Sequence, residues 1–497
     1  MPSIKAFFAK LYAARTYKKI QKWSSSPLET QNRVFQSLIS EAAATSFGVD
    51  HDFISINSHE DFVKRVPVRD YEALKPYVDK VVAGEANVLW KGKPLYFAKT
   101  SGTTSGAKYI PITKESMPSH VEAAKNAILL YIHQTGNTQI VDRKMIFLQG
   151  SPVLEDKNGV QLGRLSGIVA HYVPKYLQKN RLPSWETNCI EDWETKVNKI
   201  VQETIHEDMS IIAGIPSWVQ MYFEKLVDQK GQKVGDIFKN LNLFIFGGVN
   251  YEPYRSKFET LIGRKVDSIE LYPASEGFFA FQDLQNETGM LLQLDSGMFY
   301  EFIPADTFFD ASHQRLTLKD VKIGVNYVII ISTTAGLWAY NIGDTVQFTS
   351  LAPFRVIVSG RIKHFISAFG EHVIAKEVEH ALLSALKATD ISVSEFTVAP
   401  QIAPSTELPY HEWFIEFENP PSDLKAFASK IDAAMQLQNS YYKDLVVGKV
   451  LQPLVITPVP KAGFQSYMKQ IGKLGGQNKT PRLSNDRKIA DALTKAI

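Results

Sequence analysis

The run Lys99-Thr100-Ser101-Gly102-Thr103-Thr104-Ser105-Gly106-Ala107-Lys108 is the most distinctive stretch of this 497-residue chain. Its glycines allow a backbone to curl tightly and turn N–H groups toward an anion. Its hydroxyls add donors, and Lys99 and Lys108 add positive charge. It is not a P-loop, because only three residues separate Gly102 from Gly106 and no Gly-Lys-Ser/Thr ending follows. Taken alone it reads better as a flexible surface loop, so its surroundings have to decide.

Those surroundings alternate. Residues 89–98 lead into the loop with partial strand alternation, and residues 113–135 have the length and period of a helix. Short apolar runs then recur, each followed by small residues. Met145-Ile146-Phe147-Leu148 precedes Gly150-Ser151-Pro152, and Ser210-Ile211-Ile212 precedes Gly214-Ile215-Pro216. Leu243-Phe244-Ile245-Phe246 precedes Gly247-Gly248, and Ser268-Ile269-Glu270-Leu271 precedes Tyr272-Pro273-Ala274-Ser275-Glu276-Gly277. Helical stretches at 217–229 and 253–262 lie between them. Strands alternating with helices predict an α/β domain with a largely parallel sheet. Ligands of such sheets bind where loops leave the carboxyl ends of strands, which is where these small-residue segments fall.

Further out the pattern changes. Residues 299–336 are rich in strand formers with turn punctuation, predicting a β-rich subdomain. After Gly360-Arg361 a helix is expected at 373–386, strands at 395–399 and 412–418, and a helix at 422–435. These make a small α+β domain, with the boundary at 360–372 and the division written as 1–365 and 366–497. Upstream of the loop, Ser26-Pro27-Leu28-Glu29 reads as a capped helix start, with a helix to about residue 44. Residues 58–65 read as a short capped helix stopped by Pro67.

Residues 1–28 carry Lys5, Lys10, Arg15, Lys18, Lys19 and Lys22 and no acidic residue, while Ile4, Phe7, Phe8, Leu11 and Tyr12 recur at helical spacing. A transit peptide or a membrane-surface helix has this composition. The plainer reading is preferred: a helix packed on the domain surface with its lysines in water. The bulk composition, 44% hydrophobic and 22% charged, is that of a soluble globular protein and excludes disorder or collagen-like structure for most of the chain. Apolar runs such as 327–331 fall far short of the ~20 residues of a membrane span. A net charge of +3 over the whole chain gives no argument for nucleic acid. The single cysteine, Cys189, excludes an intrachain disulfide and a thiolate metal site, and suits a cytoplasmic location.

Three further segments carry chemical potential. After a strand, Tyr272 could stack on a purine and Glu276 could hold Mg²⁺ against phosphates, although Tyr and Glu at strand ends are more often structural. In Tyr340-Asn341-Ile342-Gly343-Asp344, a carboxylate at a turn suits two ribose hydroxyls; a solvated turn is the plain alternative. Residues 473–482, Lys-Leu-Gly-Gly-Gln-Asn-Lys-Thr-Pro-Arg, read as a glycine-bearing loop with cations for an anionic target, or as a solvated basic tail.

In this order and separation the segments resemble the acyl-adenylating superfamily of firefly luciferase-like enzymes. The nearer resemblance is to the Gretchen Hagen family of auxin-responsive acyl acid–amido synthetases, particularly its bacterial members. The first run looks like that family's phosphate loop, and residues 272–277 and 340–344 are similar to its Tyr-x-x-Ser-Glu and Tyr-x-x-Gly-Asp motifs. Phe47-Gly48 before Asp52-Phe53, Pro216-Ser217-Trp218 and the Lys479-Thr480-Pro481-Arg482 ending extend the likeness over nearly the whole chain.

The resemblance implies a large adenylating domain with mixed sheets, flanking helices and a β-rich subdomain, and a small mobile α+β C-terminal domain. It implies ATP and Mg²⁺, a carboxylic acid and an amine or amino acid as substrates, and monomeric action. Matching positions would make Ser101, Gly102, Thr103, Thr104, Gly106 and Lys108 the phosphate binders. Tyr272 and Ser275 would lie at the nucleotide, Glu276 would bind Mg²⁺ and Asp344 the ribose. Gly247 and Gly248 would let the nucleotide or acyl group approach the backbone. Arg361 would mark the interdomain hinge, and Lys479 would be the lysine that reaches the reacting phosphate. Val169, His171, Tyr172 and Phe278 are possible acyl-pocket linings, with His171 read as structural rather than a base. Asn341 stands where relatives often carry Arg, and Gly360-Arg361-Ile362-Lys363-His364 departs from the superfamily's usual hinge. An acyl-CoA ligase and a non-catalytic nucleotide binder are the alternatives. Auxin, jasmonate and benzoate conjugation occur within the family, and nothing in the sequence selects among them.

Overall fold

The computed structural model describes residues 3–101, 107–173, 178–248, 251–310, 312–362, 365–366, 368, 371, 373–402, 404, 408–447, 450–475, 479–484 and 486–495. Its chain forms two compact units, Met1–Val249 with Glu259–Val358, and Asn250–Phe258 with Ser359–Ile497.

In the first unit the apolar runs become strands. Lys144–Phe147, Met209–Ala213, Leu243–Gly247 and Asp267–Ala274 pair in parallel, and Arg181–Leu182 adds a parallel edge. All five residues of Met209–Ala213 are buried, as expected when helices cover both faces of a strand. Helices Trp193–Thr204 and Pro216–Lys230 serve the intervening connections. The parallel share is smaller than the strand–helix alternation suggested. From Asp267–Ala274 the same sheet continues through Gly277–Phe281, Met290–Leu292, Phe354–Arg361, Tyr340–Leu351 and Asn326–Thr333 to Met298–Pro304. The strands of this half pair antiparallel, and among the described residues eleven strands are joined in the sheet. The β-rich stretch expected at 299–336 is thus the antiparallel half of the sheet. A second sheet orders Ala107–Ile112, Tyr96–Ser101, Val160–Gly163 and Glu155–Lys157.

Several local expectations change. Ser26 makes no cap bond to the helix Pro27–Ala42; its hydroxyl donates back to Lys22 O, and Pro27 alone marks the start. By contrast Ser58 and Asp61 form the reciprocal capping box of His59–Arg65. Residues 272–274 belong to a strand rather than a loop, and residues 340–344 begin a strand rather than a turn. The first helix, Ile4–Ser24, buries Ala6, Ala13, Ile20 and Trp23, so it packs through a face other than the one its large apolar residues marked.

In the second unit, Ser392–Gln401 and Tyr410–Asn419 pair antiparallel, and Val455–Val459 joins in parallel. Alternation along the middle strand serves two cores. Trp413 and Ile415 pack with Leu382 and Ile431 of the helices Ala375–Leu386 and Leu424–Gln438. Phe414 points into a smaller cluster with Val459, Phe464 and Leu493.

Candidate active site

Both ends of the glycine-rich run lie in paired strands. Tyr96–Ser101 and Ala107–Ile112 pair antiparallel, with Thr100 opposite Lys108 and Ser101 opposite Ala107. Gly102, Thr103, Thr104 and Gly106 lie outside the described residues. At the hairpin mouth the Lys108 ammonium sits 5.4 Å from the ring centroid of Tyr71, a cation–π distance. Tyr71 is itself fixed, its hydroxyl accepting from Tyr109 N at 2.9 Å. A neighbour from the preceding helix thus places the lysine, a partner that no local motif announces.

Tyr272 to Gly277 form a tight hairpin within the central sheet. Ala274 faces Gly277, leaving Ser275 and Glu276 as a two-residue turn, the connection that antiparallel strands favour. Both turn residues are half-buried. A Cβ on Gly277 would stand 2.4 Å from Met298 Sδ, so the methionine side chain would have to shift to admit one. Tyr272 is buried edge-on against Phe279, with ring centroids 4.9 Å apart, and its hydroxyl donates to Asp344 Oδ2 at 2.8 Å.

Asp344 owes its position to a bulge. Val328 faces Thr345 while Ile330 faces Asn341, so residues 342–344 stand opposite Ile329 alone. Gly343 takes a φ of 88°, and Asn341 Oδ1 accepts from Gly343 N at 2.8 Å. Asn341, which replaces an expected arginine, therefore shapes the turn that presents Asp344. The strands bearing Tyr272 and Asp344 are four places apart in the sheet order. In a flat sheet they would be about 19 Å apart, so the hydrogen bond means that the antiparallel half curls round like a barrel. Met298 against Gly277 gives the same closure, because Met298–Pro304 is the far edge strand.

Gly247 is explained differently from expectation. A Cβ there would lie 2.6 Å from Leu271 O in the next strand, so sheet packing demands the glycine. Gly248 has a φ of 82°, which favours glycine for backbone reasons. Among the pocket candidates, His171 Nε2 donates to Pro152 O at 2.9 Å and its ring packs on Trp185, which is a structural role. The Tyr172 hydroxyl donates to that of Tyr96 at 3.2 Å, at the start of the strand Tyr96–Ser101. Phe278 is buried in the strand Gly277–Phe281. His120, in the helix Met117–Thr135, was not singled out by sequence. Burial pushes its imidazole down to about 4, and Nδ1 has no hydrogen-bond partner among the described residues.

The second unit holds Arg361 and Lys479. Arg361 ends the strand Phe354–Arg361 and is exposed, next to Gly360. Lys479 is exposed as well. Three residues on, Arg482 is partly buried and ion-paired to Glu395 and to Glu379, the latter at 3.2 Å, with its guanidinium 4.8 Å from the Phe396 ring centroid. Its Nη2 donates to the Tyr254 hydroxyl at 3.2 Å. Val398 N donates to Arg482 O at 2.9 Å, and the Thr397 hydroxyl donates to Pro481 O at 2.7 Å. The arginine of the Lys-x-Pro-Arg ending is thus the anchor of this segment, where the sequence suggested only a cation for an anionic target.

Among the described residues no group of three or more His, Cys, Asp or Glu could hold a metal on its own. Mg²⁺ keeps several waters and is commonly held by one or two carboxylates plus substrate phosphates, a need that the half-buried carboxylate of Glu276 fits.

Residues 16–188 match the GH3 family N-terminal domain, 291–361 the GH3 family central domain and 376–488 the GH3 family C-terminal domain. Indole-3-acetic acid-amido synthetase GH3.3 of Arabidopsis thaliana is 26% identical across 94% of this chain and 91% of its own length. Jasmonoyl–L-amino acid synthetase JAR4 of Nicotiana attenuata is 20% identical across 64% of this chain, which spans 66% of that relative. Among solved structures, AtGH3.15 acyl acid amido synthetase in complex with 2,4-DB superposes with a TM-score of 0.80 at 16% identity, covering 97% of this chain and 96% of that one. A 2-hydroxyisobutyryl-CoA ligase in the postadenylation state superposes at 0.61 and 13% identity, covering 95% and 91%. At these identities the superpositions establish a shared fold.

Proposed function

The chain belongs to the GH3 family, and from that premise we propose that it is an acyl acid–amido synthetase, an AMP-forming ligase joining a carboxylic acid to an amine, with an amino acid as acceptor. The acid's carboxylate oxygen attacks the α-phosphorus of ATP and pyrophosphate leaves. The amine nitrogen then attacks the acyl carbon, AMP leaves and the amine loses a proton. AMP is a far better leaving group than the acid's own oxygen, so the enzyme's task is positioning and charge neutralisation.

The observation that carries this reading is the hydrogen bond from Tyr272 to Asp344, which joins two of the motifs across the curled sheet beside the Ser275–Glu276 turn. Asp344 accepts from the ribose hydroxyls, held there by Tyr272, whose own place is at the adenine. Ser101, Thr103, Thr104 and Lys108 bind the phosphates, with Gly102 and Gly106 as further members of the same phosphate-binding run. Ser275 and Gly248 border the nucleotide. Glu276 would hold Mg²⁺, which would supply charge neutralisation at the phosphates. Lys479 approaches the reacting phosphate during adenylation, and Arg361 lies where the C-terminal domain, 366–497, turns against the adenylating domain, 1–365. The family match supports that division, since its central domain ends at 361 and its C-terminal domain starts at 376. A cytoplasmic monomer suits the single cysteine and the fold.

The test is acid-dependent ATP–pyrophosphate exchange over a panel of carboxylic acids, followed by addition of amino acids or CoA to pre-formed adenylate. Exchange with at least one acid and amide formation are expected. Thioester formation without amide would make the chain an acyl-CoA ligase. Tight ATP binding with no exchange for any acid would make it a non-catalytic binder.

A further inference from the structure

The helix Ile4–Ser24 has two outer halves of different chemistry. Its inner face, with Ala6, Ala13 and Ile20 buried, packs against the helix Met117–Thr135, and Tyr17 stacks on His133 with centroids 4.1 Å apart. Ser3 ties down the start, its hydroxyl accepting from Ala6 N and donating to Asp142. At 3.6 residues per turn, Ile4, Phe7, Phe8, Leu11 and Tyr12 fall in a sector of roughly 140° on the opposite side. All five are exposed, from 39% at Leu11 to 79% at Ile4. Over the next turns that outward sector carries Arg15, Lys18, Lys19 and Lys22 instead, all exposed. With Lys5 and Lys10 the helix has six cations, and residues 1–28 have no carboxylate. None of the six makes a salt bridge among the described residues.

We propose that this outward face docks on a bilayer surface containing anionic lipids. Ile4, Phe7, Phe8 and Leu11 enter the headgroup–acyl boundary, Tyr12 lies at its edge, and Arg15, Lys18, Lys19 and Lys22 meet lipid phosphates. Large apolar side chains need no shaped groove to enter lipid, and a convex helix face offers none to a protein. A second copy of the chain would meet the same cations. No helix among the described residues is long and apolar enough to cross a membrane, so the contact is peripheral.

The experiment is sedimentation of the full chain with phosphatidylcholine vesicles, with and without phosphatidylglycerol, alongside analytical ultracentrifugation without lipid. Binding to the anionic vesicles is expected, falling at least about tenfold in high salt, in a Phe7→Ser/Phe8→Ser variant and in a Lys18→Gln/Lys19→Gln/Lys22→Gln variant. Unchanged circular dichroism and melting would show that the variants keep the fold, since these side chains face outward. No sedimentation with anionic vesicles would overturn the proposal. So would binding that ignores phosphatidylglycerol and both variants, or a lipid-free dimer that Phe7→Ser/Phe8→Ser dissolves, which would assign the face to a second copy.

Discussion

Changing Tyr272 to Phe deletes one oxygen and keeps a ring that is already buried against Phe279. What disappears is the 2.8 Å hydrogen bond to Asp344 Oδ2. A hydrogen bond to an ionised acceptor contributes about 1.5–3 kcal/mol, and the half-buried Asp344 can recover part of that from water. The lower end applies, about 1.4 kcal/mol, or tenfold in an equilibrium constant. Because Tyr272 acts through Asp344, the loss should fall on nucleotide binding. In acid-dependent ATP–pyrophosphate exchange, Tyr272→Phe is expected to raise the KM for ATP about tenfold while leaving kcat within about threefold. The KM for the acid should stay where it was. The reasoning fails if Asp344→Asn weakens ATP use strongly and Tyr272→Phe leaves the ATP KM unchanged, for then the carboxylate holds its place unaided. A rise in the acid's KM instead would put the tyrosine at a different subsite.

Lys479→Ala should slow adenylation in single-turnover measurements much more than it weakens ATP binding, and unchanged acid-dependent pyrophosphate release would remove Lys479 from the mechanism. Arg482→Met leaves the partly buried Glu379 and Glu395 without their cation, and because both carboxylates keep some water the cost falls below the about 3–5 kcal/mol of a fully buried pair. Urea unfolding of the full chain should show an earlier transition for the C-terminal unit, and a midpoint unchanged from wild type would contradict the anchoring role. His120 takes up a proton in the unfolded chain near pH 6.5 but in the folded one only near 4, so its burial makes stability fall as pH drops through that window. His120→Phe should lose about 2–3 kcal/mol less than wild type between pH 7 and 4.5 in urea titrations, whereas parallel losses would mean that His120 is protonated normally.

Burial was the part of the fold most easily read from sequence. Runs such as Leu243-Phe244-Ile245-Phe246 have to be covered on both faces, and the parallel strands follow. The C-terminal unit was legible for the same reason, since Trp413, Phe414 and Ile415 alternate between two cores. Closure of the antiparallel half was hidden, because Tyr272 and Asp344 meet 72 residues apart and no periodicity encodes such a meeting. The partners of Arg482 lie 87 and 103 positions away, which made a structural arginine look like a solvated cation. The first helix misled in another way. Hydrophobicity ranks Phe7 and Leu11 above Ala6 and Ala13, but over the first half of the helix the buried positions are the small side chains, and large ones (Ile20 and Trp23) are buried only further on.

The bond between Arg482 and the strand Ser392–Gln401 sets a length as well as a position. Only Thr480 and Pro481 lie between that fixed point and Lys479, so its Cα is three residue steps away, a tether of at most about 11 Å, to which the lysine side chain adds roughly 6 Å. A segment so short can correct the ammonium's aim but cannot carry it far. In the role proposed for Lys479, its reach would thus be set by where Arg482 is held and not by slack in the segment, and lengthening the tether with inserted glycines should weaken that control without touching the lysine.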